Sequence, residues 1–531
     1  MARVVTLLIN CVLLAFSCWL MWHTFSYNSS RQVLVISDKV WSDFGALIPL
    51  TRSFSHGFNW PVEHPLFPGE PIRYHPLFYI AVGLLERSGL RLDWAMNIPS
   101  ALGFFLVLHF LIRLGKNFYS STVTGLLAVL FFLFNGSLSY IKFFKLHPLS
   151  TRTLSEIAAN SRFPNFGPWD GGQITAFWNL NIFTNQRHLA PSFALALLLI
   201  WILFTGNRKL TYFSGFILGV FLLLNHAVFA ICLLFVAWFF LARPRLRLPL
   251  IYSMFGFLPG FSLFRYTVHI TPSLFIKTGF LTPQPVTWIS WITFWFYNFG
   301  LHAVLIPLGF IFSPRRVKAL AIPLVILFII PNIWQFSPDM INNHKFFNFF
   351  LLFGFLFSAH FIITLFRTGW VGKIITPALL IFLVMGGIVD FFPVKNDQKL
   401  LLSDIGSDPD VAFFYTSTSP RDVVLNSTWL YHPASLAGRP IFNGYSYFTW
   451  SYGYDQVTRE RQTQSVYSAV SKTEACRLLH RYGIAYVELN RHPEGFLSPN
   501  WDLWSTVFIP VYQNPDSGIR VFSVNRNCPL S

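Results

Sequence analysis

Apolar runs of about 20 residues recur along this chain from Val4 to Phe392, and each is long enough to cross a hydrocarbon core about 30 Å thick. That repetition excludes a soluble globular fold for most of the chain. Composition agrees: 53% of the 531 residues are hydrophobic and 11% are charged, against about 25% charged in ordinary soluble domains.

The net charge of +17 invites a nucleic-acid reading, but position decides otherwise. The basic residues collect in short segments between apolar runs, as membrane orientation requires. No zinc finger, basic helix or aromatic–basic RNA motif accompanies them. The N-terminal 25 residues carry Arg3, a long apolar stretch and no small-residue cleavage pattern, so they are expected to remain as a signal anchor.

With Arg3 on the cytoplasmic side, the basic clusters fix a topology. Helix one (4–26) delivers residues 27–75 outside, and 93–113 returns to Arg113 and Lys116. Segment 119–141 exits, loop 142–187 follows, and 188–206 returns to Arg208 and Lys209. A pair at 211–224 and 227–242 dips out near Asn225 and His226, then returns to Arg243, Arg245 and Arg247. Segment 248–266 exits, 287–312 returns to Arg315, Arg316 and Lys318, and 318–336 exits. Segment 346–366 returns to Arg367 and Lys373, and 374–392 exits last. Every compact basic cluster falls on one side. The expectation is an α-helical polytopic membrane protein with about eleven spans, and Pro76–Leu85 lying at the interface.

After Val394 the apolar runs shorten and Asp, Ser, Thr and Tyr rise. Residues 1–394 are therefore expected as the membrane domain, with outer loops 27–92 and 142–187, and 395–531 as a small α/β extracytoplasmic domain. Strands are expected from Asp422 and at Ile484–Leu489, the latter preceded by a helix at 471–482. A closing hairpin joins Val507–Tyr512 to Ile519–Val524 through an Asn514–Gly518 turn. Cys476 and Cys528 lie in this domain, either bonded to each other or as two thiols. Asn28 and Asn426 open Asn-x-Ser/Thr sequons on the outer face.

Polar chemistry gathers on the same face. Asp43 opens an amphipathic helix whose apolar positions Leu47, Leu50 and Phe54 follow helical spacing. A carboxylate there suits a general base that takes a proton from a hydroxyl, and Asp equally often N-caps a helix. Arg187, followed by His188 at the mouth of a helix, suits paired hydrogen bonds to a phosphate or a snorkelling anchor. Lys345, after Asn342, Asn343 and His344, opens another span with the same two options.

The first outer loop also carries a pattern. An acidic residue follows helix one, then come Arg52-x-Phe-x-x-Gly57, Asn59-x-Pro61, the Gly69-x-Pro71 turn and Tyr74-His75-Pro76-Leu77-x-Tyr79. This resembles the GT-C superfamily of membrane glycosyltransferases, which includes protein mannosyltransferases and aminoarabinose transferases. The resemblance implies a GT-C-like bundle over residues 1–392 and a polyprenyl-phosphate-linked sugar as donor. It implies Asp43 as the catalytic acid position, with Asp38 second, and an unknown glycan, lipid or protein as acceptor. Arg73, His75, Arg187, His188 and Lys345 are then the candidate substrate-binding residues, chosen by position and type. No Asp-x-Asp pair occurs in this loop, so no metal ligand set is expected. Two other classes compete, a transporter or flippase with His226 at a helical break, and a non-catalytic envelope assembly factor using residues 400–531.

Overall fold

The computed structural model describes residues 2–269 and 274–529, without the side chains of Ala2 and Arg3. The Arg3 side chain, from which the orientation is counted, thus lies outside the described residues. Among the described residues, five helices are long and apolar enough to cross a membrane: Val4–Thr24, Leu92–Tyr119, Pro244–Thr267, Met340–Phe366 and Trp370–Lys395. A sixth candidate, Trp288–Phe299 with His302–Ile311, is bent by 88°. Four apolar helices are shorter: Thr122–Leu133, Leu189–Thr205, Ser214–Leu224 and His226–Ala242. The apolar segment expected at 318–336 holds helix only over Ala321–Ile329, and a 3-10 turn begins at Ile330 with Pro331 inside it. The eleven apolar segments do not become eleven straight spans.

Two of the breaks meet. The segment expected as helix at 119–141 stops at Leu133, where Asn135 and Gly136 interrupt it. Gly300 ends Trp288–Phe299 with a positive φ of 53°. A Cβ on Gly300 would sit 1.9 Å from the Gly136 carbonyl oxygen, so only glycine allows the approach. The Leu138 N–H donates to the Tyr297 carbonyl at 2.9 Å, which recovers one backbone bond lost at the break.

Beyond helix one the chain forms an antiparallel hairpin, Phe25–Asn28 with Val33–Ser37. Its open edge pairs with Lys399–Ser403, the strand that follows the last long helix, in register Val33 opposite Ser403 through Ser37 opposite Lys399. The Asp38 N–H extends the ladder to the Gln398 carbonyl at 3.0 Å. The first residues after position 394 therefore complete a sheet begun in the first outer loop.

The remaining C-terminal residues build a four-stranded sheet in the order Tyr512–Asn514, Ile519–Ser523, Tyr486–Asn490, Val424–Leu425. Only the last pair is parallel. Helix Lys472–Arg481 buries Ala475, Leu478 and Leu479, the i, i+3, i+4 stripe of an amphipathic helix. The expected strand at Val507–Tyr512 differs: Leu503–Val507 is a π-helical turn and the strand begins at Tyr512. Pro510 has no N–H to give a ladder. Cys476 and Cys528 are disulfide-bonded, with Cα atoms 5.4 Å apart. Asn426 is fully buried and its amide donates to the Asn443 and Thr428 carbonyls, so this sequon offers no exposed acceptor.

Helix Trp41–Ser55 lies against both Leu77–Arg87 and the C-terminal turn Pro433–Leu436. Arg52, 2% exposed, makes the join. Its guanidinium pairs with Glu86 at 3.0 Å, grips both Asp404 oxygens at 2.7 and 2.9 Å, and donates to the Leu436 carbonyl at 2.9 Å.

Candidate functional site

Asp43 sits in the first turn of Trp41–Ser55. It caps nothing: no side-chain cap bond forms at this helix start, and among the described residues its carboxylate accepts no hydrogen bond. The next residue, Phe44, is fully buried and anchors the turn by packing on Phe25, 4.9 Å between ring centroids. Burial pushes the Asp43 carboxyl up to about 6, and the Lys345 ammonium pulls against that rise. A carboxylate with this value is ionised at neutral pH yet basic enough to take a proton.

Beside it lies a hollow of about 290 Å³, bounded by three parts of the chain. Arg73, Tyr74 and His75 come from the first outer loop. Asn225, His226, Asn342 and Lys345 come from helix starts or breaks, and Ser451 and Tyr452 come from the C-terminal domain. Asp43 is not on this wall, but its charge reaches three lining groups, Lys345, Tyr74 and Tyr452. Burial already pushes both tyrosine hydroxyls well above the ordinary phenol value.

Lys345, 8% exposed, donates to the Asn342 amide oxygen at 3.1 Å and makes no ion pair with a carboxylate among the described residues. A largely buried ammonium whose one bond among the described residues is to an amide oxygen is a poor structural element and a good seat for an anion. Arg73 borders the same space. Its guanidinium pairs with Glu70 at 2.8 Å, donates to the Gly453 carbonyl and lies over the Tyr454 ring at 4.9 Å.

His75 and His188 are buried side by side, their Nε2 atoms 2.8 Å apart. His188 Nδ1 meets the Tyr79 hydroxyl at 2.9 Å. Burial first, then His188, His226 and Lys345, hold the His75 imidazole well below its usual value, so it is neutral at physiological pH. The His226 ring stands edge-on at 5.5 Å. Among the described residues no group of three His, Cys, Asp or Glu is arranged to hold a metal ion.

The structure thus brings Arg73, His75 and Lys345 to the wall of one hollow, with Asp43 in its field and His188 buried behind His75. Arg187 and Asp38 stand elsewhere. Arg187 is fully buried, donating to Met21 Sδ at 2.7 Å, Thr24 Oγ1 at 2.8 Å and Asn97 Oδ1 at 3.0 Å. Its guanidinium lies 5.3 Å from the Phe44 ring, so it braces the residue next to Asp43 and does not reach the hollow's wall. Asp38 is exposed at the end of the three-stranded sheet.

Sequence reasoning missed the C-terminal contribution. Tyr452 closes one side of the hollow, and the Tyr447 hydroxyl donates to Asp339 at 2.7 Å. Tyr431 donates to the Trp41 carbonyl, two residues before Asp43. The aromatic run 445–454 was the available signal, but a packed domain core gives the same run.

No protein-family model matches the sequence, and no curated protein matches it. Among solved structures, the archaeal oligosaccharyltransferase AglB from Archaeoglobus fulgidus, in complex with an inhibitory peptide and a dolichol-phosphate, is 14% identical with a TM-score of 0.41, covering 90% of this chain and 69% of that chain. The apo form of the Archaeoglobus fulgidus oligosaccharyltransferase gives 10% identity and a TM-score of 0.42 over 91% and 69%. Its complex with Zn and sulfate gives 12% and 0.39 over 98% and 74%. Overlaps this loose carry no residue's role into the present chain.

Proposed function

We propose that this chain is a membrane glycosyltransferase that moves a sugar from a polyprenyl-phosphate donor to an acceptor on the non-cytoplasmic face. The reading rests on one observation: among the described residues, a carboxylate without a hydrogen bond and an ammonium without an ion pair share one field beside a hollow between the first loop and the C-terminal residues. Asp43 takes the proton of an acceptor hydroxyl as its oxygen attacks the anomeric carbon. The bond from that carbon to the phosphate oxygen breaks, and the electron pair leaves with the lipid phosphate. Lys345, with Arg73 at the same wall, stabilises that phosphate charge as it grows. Neutral His75 is suited to donate to or accept from a bound polar group without adding charge.

The test is transfer of labelled sugar from polyprenyl-phosphate donors by the full-length protein in nanodiscs. Loss of a general base lowers turnover by about 10²–10⁴-fold, so Asp43→Asn is expected to fall in that range with folded protein undiminished. Turnover of Asp43→Asn at the wild-type rate removes Asp43 from the chemistry.

A transporter is the second reading, and one feature favours it. His226 begins a helix at a break capped by Asn225 and borders the hollow, as ionisable groups at broken helices do in transport sites. Uptake of labelled substrate into vesicles, without transfer, separates it from the enzyme.

A further inference from the structure

A second and larger cavity, about 350 Å³, opens between the first outer loop and the C-terminal domain. It is distinct from the hollow near Asp43. The Glu63–His64 strand lies between them: His64 lines the cleft, and its ring packs 5.2 Å from Tyr452, which lines the hollow. The two walls come together at a backbone contact only glycine permits. A Cβ on Gly57 would stand 2.4 Å from the Gly438 carbonyl oxygen.

The mouth of this cleft displays two large aromatic side chains, Phe58 at 50% and Trp60 at 54% exposure. Ligand clefts are lined mainly by apolar and aromatic side chains with a few placed polar groups, and this cleft has that make-up. Arg421 reaches both residues: its guanidinium donates to the Trp60 backbone carbonyl at 2.6 Å and lies over the Phe58 ring at 4.5 Å. Glu63 lines the same cleft; one of its oxygens accepts from the Gly69 N–H at 2.8 Å, and the other has no hydrogen bond among the described residues. Several prolines stiffen the rim.

Exposed aromatic faces set beside a guanidinium and a half-free carboxylate match one ligand chemistry closely. A pyranose ring has an apolar C–H face that stacks on an aromatic ring and a rim of hydroxyls that pairs with planar polar groups. One positive and one negative group at the cleft match a ligand without net charge. We infer that this cleft is a saccharide-binding site for a neutral oligosaccharide. It does not depend on transfer at Asp43. The competing occupant of exposed aromatics near a bilayer is the lipid interface, but that role calls for a protruding surface, and these rings edge a concavity.

The test uses full-length protein in nanodiscs with maltohexaose, cellohexaose and mannohexaose as probes, followed by saturation-transfer NMR and titration calorimetry. At least one probe is expected to bind, and Trp60→Ala to weaken it by about tenfold, the loss of one stacked face. Phe58→Ala and Arg421→Gln weaken it as well, whereas Asp43→Asn binds like wild type. Both aromatic positions are surface positions, and an unchanged thermal midpoint verifies the fold of each variant. The inference is overturned if none of the probes binds wild type at millimolar concentration, or if Trp60→Ala binds as tightly as wild type. Quenching of Trp60 fluorescence by brominated lipid chains, read as the difference from Trp60→Phe, also overturns it and assigns the rings to the membrane.

Discussion

Arg52→Met is the most demanding test of how this molecule is held together. The arginine is buried, and its side chain faces Glu86 and Asp404, whose side chains are 6% and 13% exposed. Removing one partner of a buried ion pair leaves its counter-charges desolvated and costs about 3–5 kcal/mol. Methionine replaces most of the apolar stem, so little of that cost comes from a cavity. The pH dependence gives the signature. In wild type, burial acts to raise both carboxyls, but Arg52 overrides it and holds Glu86 and Asp404 below their ordinary range. Their contribution is present above the unfolded carboxylate values and lost as pH falls through the lower folded ones. Without Arg52, burial, the largest influence on both, is opposed only by His56, the Ser55 hydroxyl and the Ile405 N–H; the carboxyls are expected to move above their unfolded values, and protonation then favours the folded state. The deficit of Arg52→Met is therefore largest near neutral pH and shrinks as pH falls through the carboxylate range. Unfolding in mixed micelles at pH 7.5 and pH 5 measures both. A deficit under about 1 kcal/mol, the value of an exposed pair, refutes the reasoning, as does one that does not change with pH.

Turnover is expected to show an acid limb near pH 6, rising with pH as Asp43 loses its proton; Lys345→Met removes the charge that opposes burial and moves that limb to higher pH in a pH–rate profile. Reducing Cys476–Cys528, or replacing both with Ala, releases a loop spanning 52 positions and costs about 4 kcal/mol by loop entropy, read as a lower denaturation midpoint with the three free cysteines untouched. Arg187→Met removes the brace beneath Phe44 and lowers the folded fraction on size exclusion; the protein that remains folded keeps its donor KM, and a raised KM would instead put Arg187 at the phosphate.

Much of the bundle was legible because a helix in lipid must be apolar for its whole length, and this signal survives without any tertiary context. It fails where helices break inside the bundle. Asn135, Gly136 and Gly300 are ordinary residues in sequence, and only their mutual approach turns them into the ends of helices. Asp43 and Lys345 were legible as polar residues at span boundaries. Their sharing of one electrostatic field was not, since about 300 positions of chain separate them and no periodicity links the two. Arg187 shows the reverse failure: an arginine before a helix has the same signature whether it faces a ligand or, as here, Met21, Thr24 and Asn97. Tyr452 and the Arg421–Trp60 contact lay beyond reach because they join segments from opposite ends of the chain.

The strand Lys399–Ser403 sets the order of events during synthesis. The hairpin that leads into the Asp43 helix keeps a bare edge until the ribosome has made the whole membrane part and delivered this strand to the same side. Asp404, which receives Arg52, follows one residue later. Until that strand is in place the hairpin edge has no partner, and Arg52 has no Asp404 to receive it. Seating of the Asp43 helix is thereby tied to a segment made only after the last long helix.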